Sequence, residues 1–244
     1  MVYILILAHL LGDYLLQTQR IVRWKSRSLV GVLAHGGIVT VTTLFCATLI
    51  DAKFWPYALL IGMTHTVIDV ARARYLHPVS SNEELLWYLA DQAAHLTVII
   101  LITTWSGQSL WRASSVYFGE LTASRGLLAY VLGYLLLTTP AWVLLRFIVR
   151  GFWGPQEAPQ LNQGEKYGPI LERLLITTSV LLGQTYLLPL ILIPRRLKPV
   201  RLQEGDTVAL LLRQNDSAIE TVLSTLLAVG IGLGLRLIAV RGIF

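Results

Sequence analysis

Apolar residues run in blocks along this chain, and the polar residues that interrupt them recur at helical spacing. The first block starts at Met1 and ends near Leu16; six more cover roughly residues 29–50, 55–71, 85–105, 126–149, 169–193 and 218–239. Several approach or exceed the ~20 residues that cross a hydrocarbon core. The pattern predicts an all-α fold, a polytopic transmembrane helix bundle of about seven helices. The first is short for a full span at ~1.5 Å of rise per residue.

The segments between the blocks carry the expected punctuation. A basic loop with Arg20, Arg23, Lys25 and Arg27 follows the first block, and Asp51, Lys53 and Pro56 make a tight connection after the second. Ser80 or Ser81 can cap the fourth helix, with Glu83 and Glu84 favourable in its first turn. Residues 106–125 form a mixed loop in which Trp111, Tyr117 and Phe118 read as interfacial anchors. Pro140 predicts a kink in the fifth helix, residues 150–168 read as a linker, and residues 201–216 as a charged loop. The organisation expected is an N-terminal four-helix half, residues 1–105, and a C-terminal three-helix half, residues 106–244, within one membrane domain.

Composition strengthens the membrane reading. Of 244 residues, 55% are hydrophobic and 14% charged, where a soluble domain carries roughly a quarter charged. The first block lacks a basic leader and a small-residue cleavage site, so it reads as a retained helix rather than a signal peptide. A formal charge of +6 does not point to nucleic acid here, because the basic residues cluster at helix ends, where they meet anionic headgroups. The loop with Arg195, Arg196, Lys198 and Arg201 is expected to do so. The one cysteine, Cys46, excludes an intramolecular disulfide or a Cys-rich metal site. The expected setting is a bacterial inner membrane crossed several times, with membrane lipids as neighbours.

Candidate chemistry lies within the apolar blocks. The first carries His9 and Asp13, the third His65 and Asp69, the fourth Asp91 and His95. Each pair is spaced i, i+4 and so shares one helix face. His35 lies near the start of the second block. In an up-and-down bundle all seven fall toward one membrane face. Ionisable groups inside a membrane are costly unless paired or metal-bound. Imidazoles and carboxylates are ligands for zinc, with manganese or iron as alternatives. The expectation is one or two divalent ions held by His9, Asp13, His35, His65, Asp69, Asp91 and His95. Asp13 and Asp91 are the candidate catalytic carboxylates.

Gln17 continues the His9–Asp13 stripe as either an interfacial or a site residue. Gln92, adjacent to Asp91 on a helix, is expected to point elsewhere, and His77 to be solvated. Gly12 suggests close helix approach. Glu172 and Arg173 are expected to pair with each other or a neighbour, or else to help bind an anionic headgroup. No Gly-rich phosphate loop, nucleophile elbow or His-Glu-x-x-His motif occurs.

Taken together, His9-Leu-Leu-Gly-Asp13-Tyr-Leu-Leu-Gln17, the His35 region, His65-Thr-Val-Ile-Asp69 and Asp91-Gln92-Ala-Ala-His95 resemble the bacterial membrane proteins grouped as domain-of-unknown-function family 3307. Gly168-Pro-Ile-Leu-Glu172-Arg173 is similar to that family's Gly-x-Leu-Glu-Arg segment, whereas Ile193-Pro194-Arg195-Arg196 departs from its Lys-Ser pattern. The resemblance implies an architecture and no established activity. The residues themselves point to a metal-dependent hydrolase acting on a lipid-like or phosphorylated amphipathic substrate. The alternatives are a transporter or proton- or ion-coupled permease using the pairs as a relay, and a non-catalytic membrane partner with a structural metal.

Overall fold

The computed structural model describes residues 1–77, 79–108, 122–154, 166–196 and 207–241, without the side chains of 122–125, 194–196, 207–217 and 241. No strand occurs among the described residues. The helices are α1 (Val2–Leu10), continued by a π-helical turn at Leu11–Leu15, then α2 (Gln19–Lys25), α3 (Leu29–Ile50), α4 (Trp55–Tyr75) and α5 (Ser81–Trp105). After them come α6 (Thr122–Leu136), α7 (Thr139–Trp153), α8 (Tyr167–Leu181), α9 (Leu188–Arg196) and α10 (Thr207–Arg241). The chain forms two compact units, Met1–Ser124 and Arg125–Phe244.

Among the described residues, three helical stretches are long and apolar enough to cross a membrane: Leu29–Ile50, Ser81–Trp105 and Ala218–Val240. A fourth follows if Gly126–Leu136 and Thr139–Trp153, bent by 43°, make one broken span. Seven spans are therefore not what the helices show. At 21 residues α4 is long enough, but His65, Asp69, Arg72 and Arg74 leave it too polar.

In the first unit, α3 and α4 pack through a reciprocal pair of small residues. Gly36 of α3 lies against Thr66, and Gly62 of α4 lies against Thr40, so closely that a Cβ on Gly62 would stand 2.7 Å from the Thr40 Cα. Each threonine hydroxyl donates back to the glycine carbonyl of its own helix, Thr40 to Gly36 at 2.7 Å and Thr66 to Gly62 at 2.9 Å. The hydroxyls are thereby satisfied while the backbones approach, the usual device where lipid removes the hydrophobic drive between helices. An apolar core of Val2, Leu5, Ala47, Phe54, Ala58, Ile61, Ile99 and Ile102 fills one end of the unit. Val41, Phe45 and Leu49 of α3 point outward, each more than 60% exposed, as lipid-facing positions would.

Local signals explain several boundaries. Ser80 caps α5 by accepting from the Glu83 amide at 3.3 Å, and Glu83 reaches back to accept from the Val79 amide at 2.9 Å, a reciprocal capping arrangement. The expected basic loop instead folds as α2, capped by Thr18. It buries none of its residues, so it left no hydrophobic periodicity to read. The expected charged loop is helical from Thr207 onward in α10. Trp111, Tyr117, Phe118, Lys198 and Arg201 lie outside the described residues, as do the side chains of Pro194, Arg195 and Arg196.

The second unit is built from broken helices. The sixth predicted helix divides into α8 and α9 at Gly183, whose φ of +75° is a left-handed conformation that favours glycine. The break ahead of Pro140 falls at Leu137 and Thr138, and the fully buried Arg173 satisfies it. Its Nε donates to the Leu137 carbonyl at 2.8 Å, Nη2 to the Thr138 carbonyl at 3.4 Å and Nη1 to the Ser224 hydroxyl at 3.3 Å. The planar guanidinium fork reaches all three, which the point donor of lysine cannot. Arg173→Lys is accordingly expected to destabilise the protein by about 1–2 kcal/mol, read as a lower melting temperature in detergent; an unchanged melt would show the bend to be self-supporting.

Candidate metal centre

The centre is layered along the helix axes of the first unit. The chain directions of α1 and α4 carry His9 to Asp13 and His65 to Asp69, while α5 runs the other way from Asp91 to His95. Three imidazoles therefore lie at one level and three carboxylates one turn further toward the helix ends, where α2 and the last turn of α4 sit. His35 joins them from the second turn of α3. All seven predicted residues are buried, the most exposed being Asp13 at 8%.

The structure brings them into contact. The His35 Nε2 donates to Asp13 Oδ1 at 2.9 Å, and lies 3.5 Å from Asp69 Oδ2. His65 Nε2 stands 3.9 Å from Asp13 Oδ1 and 3.6 Å from Asp69 Oδ2. The imidazoles gather around His65, with ring centroids 4.0 Å from His95, 5.6 Å from His9 and 5.6 Å from His35. Two trios, Asp13/His35/His65 and His65/Asp69/His95, hold ligand atoms within 4.8 Å of one another. Asp91 and His9 belong to neither. Asp91 instead accepts from Arg72 Nη1 at 2.9 Å, and His9 meets Gln92 at 3.4 Å.

The helix geometry of α1 has its own part in this placement. A π turn at Leu11–Leu15 follows His9 and contains Asp13, offsetting the carboxylate from the position a regular i+4 spacing would assign. Such turns occur often at functional positions. Gly12 makes room beside it, since a Cβ there would stand 3.0 Å from a methyl of Val39.

Three contributors differ from the sequence reading. Gln92 does point into the cluster: its Nε2 donates to Asp13 Oδ2 at 3.3 Å and to Asp91 Oδ2 at 3.1 Å, joining two helices. Lys25, expected in a headgroup-binding loop, places its Nζ 2.7 Å from Asp69 Oδ2. Arg72, in the last turn of α4 and not singled out in the sequence, turns back to Asp91. Gln17 is half-buried, and His77 is exposed as expected. Next to the cluster, the Tyr14 and Tyr88 hydroxyls meet at 2.7 Å.

The donor set fits an ion. His65 Nε2 and both nitrogens of His95 are buried without a hydrogen-bond partner, as are His35 Nδ1 and Asp91 Oδ1. Buried polar atoms are rarely left so, and a metal would satisfy one nitrogen on each imidazole that binds it. A cavity of about 10 Å³ lies against His9, His65 and His95, walled otherwise by Val39, Thr43, Ile61, Val98 and Ile99. It has room for one water.

These features define a class, an all-helical protein whose three or four apolar helices suit a membrane and whose first unit encloses a cluster of His and Asp able to hold a metal ion. Residues 1–120 match the family model described as Protein of unknown function (DUF3307). All seven clustered residues lie within the matched stretch; the Gly168–Arg173 likeness lies beyond it. No curated protein and no solved structure matches the chain.

Proposed function

We propose that the first unit is a metal-dependent hydrolase centre in a multi-pass bacterial inner-membrane protein, acting on a lipid-like or phosphorylated amphipathic substrate. The observation that carries this reading is the two overlapping His/Asp trios beside a cavity the size of one water. A structural ion closes its coordination with protein ligands, whereas a catalytic ion keeps one position for water. The mixed nitrogen and oxygen donors suit zinc first, then manganese or iron. Both trios draw on His65, and its Nε2 carries one lone pair, so the cluster favours one ion over two.

A bound ion of this kind activates water near neutral pH and polarises the bond to be cut. One of the two trios, Asp13/His35/His65 or His65/Asp69/His95, would hold it. Gln92 fixes the orientation of Asp13 and Asp91. Asp91, tied by its Oδ2 to Arg72, keeps Oδ1 without a hydrogen-bond partner, an acceptor for the proton the attacking water loses. The water oxygen bonds to the phosphorus or carbonyl carbon, the ester bond breaks, and the leaving oxygen takes that proton.

The test is metal analysis of protein purified without chelator, joined to turnover of carboxylester and phosphodiester substrates in lipid nanodiscs. About one equivalent of metal is expected, with turnover lost to chelator and restored by zinc. Metal-free protein sinks the proposal. A second reading is a proton- or ion-coupled permease, favoured by the unbroken series from Arg72 and Asp91 through Gln92 to Asp13 and His35. Flux in proteoliposomes that vanishes in Asp13→Asn, without tightly held metal, would select it. A non-catalytic partner with a structural ion would show metal with neither turnover nor flux.

A further inference from the structure

The two cations at the outer layer of the cluster are not explained by ion binding. Lys25 ends α2, and its side chain is 20% exposed; Arg72 lies in the last turn of α4, and its side chain is 34% exposed. Each reaches inward to a carboxylate that is almost wholly buried. Lys25 holds Asp69 through Oδ2, and Asp69 belongs to one of the candidate ligand trios. An ion bound there and the Lys25 ammonium therefore compete for the same carboxylate.

The charges in contact set the consequence. Asp13, Asp69 and Asp91 carry three negative charges, and Lys25 and Arg72 carry two positive ones, leaving one negative. A divalent ion turns that balance to one positive. An uncompensated charge is costly inside a protein, so the loaded centre requires an anion. Lys25, displaced from Asp69, then has three donors on a flexible stem to offer. Arg72 uses Nη1 on Asp91, and its guanidinium carries further donors in a fork that suits phosphate oxygens.

We propose that the metal-loaded centre binds a phosphate-bearing anion through Lys25 and Arg72, with the ion entering first and the anion second. This rests on the metal reading given above. The anion is either free phosphate or the phosphodiester headgroup of an anionic lipid, and both present the same oxygens to the two side chains.

The test uses the full chain in nanodiscs with cobalt as a visible probe of the centre. One arm titrates inorganic phosphate into discs of zwitterionic phosphatidylcholine. The other compares those discs with discs containing anionic phosphatidylglycerol, without added phosphate. The cobalt spectrum is expected to shift in one arm, which identifies the source. Affinity for the anion is expected to rise at least about ten-fold when cobalt is present.

Lys25→Gln and Arg72→Gln are each expected to weaken the anion about ten-fold or more, with Lys25→Arg restoring most of the loss. Lys25→Gln is expected at the same time to tighten cobalt, because a competitor for Asp69 is gone. A merely structural role for Lys25 would weaken both, and that result overturns the proposal. Cobalt binding with no response in either arm overturns it while leaving the metal reading intact. An absent cobalt spectrum overturns both.

Discussion

His65→Ala is expected to abolish metal binding, and no other single imidazole substitution should do so as completely. Its Nε2 approaches both Asp13 and Asp69, at 3.9 and 3.6 Å, and it is the one histidine common to both trios. Removing it leaves two ligands on either side. His35→Ala or His95→Ala leaves the opposite trio whole, and His9→Ala touches neither. The predicted loss of affinity exceeds about 100-fold for position 65, beyond the 10–100-fold typical of supporting residues. Position 9 should lose less. Metal content after purification, with chelator competition for affinity and circular dichroism as a folding control, measures the order. Wild-type affinity in folded His65→Ala would place the ion elsewhere.

The second large effect is expected where α3 meets α4. A Cβ on Gly36 would lie 2.8 Å from the Thr66 Cγ2 and closer still to its hydroxyl; on Gly62 it would meet Thr40, backbone included. Gly37, one residue along, has nothing within 4 Å. Alanine at 36 or 62 should cost about 1–3 kcal/mol through overpacking, and leucine should prevent assembly of the unit. Leucine at 37 should be nearly neutral. Thermal melts in detergent test the contrast. Because Gly36 adjoins His35, and Gly62 precedes His65 by less than one turn, alanine at either should also lower metal content. Equal melts for 36 and 37 would mean the helices are held apart by something other than these contacts.

The centre was largely legible because three of its four helices announced themselves with a polar pair one turn apart, His35 standing alone on α3, and up-and-down topology then brought these residues to one end. What escaped was whatever depends on reach or on a partner distant in the chain. Gln92 was assigned outward from its angular position next to Asp91, but its long side chain swings across to α1. Lys25 looked like a headgroup cation because helix-end basic residues usually are, and Arg72 looked like part of the polar stretch after its helix. The signal available was charge: three carboxylates in apolar helices need neutralising, and Arg72 follows Asp69 by three residues. The π turn leaves no compositional mark. In the second unit, Gly183 and Pro189 within one apolar block were cues to the break between α8 and α9, outweighed by the length of that block.

The burial of Asp13 also has a consequence for how the protein is made. α1 precedes α3 and α5 in the chain, and with its π turn it is too short and too polar to settle in a bilayer alone. The groups that donate to its Asp13 carboxylate, His35 and Gln92, follow 22 and 79 residues later in the chain. Stable placement of α1 must therefore wait for α3 and α5, so this helix is among the last parts of its unit to be fixed in place.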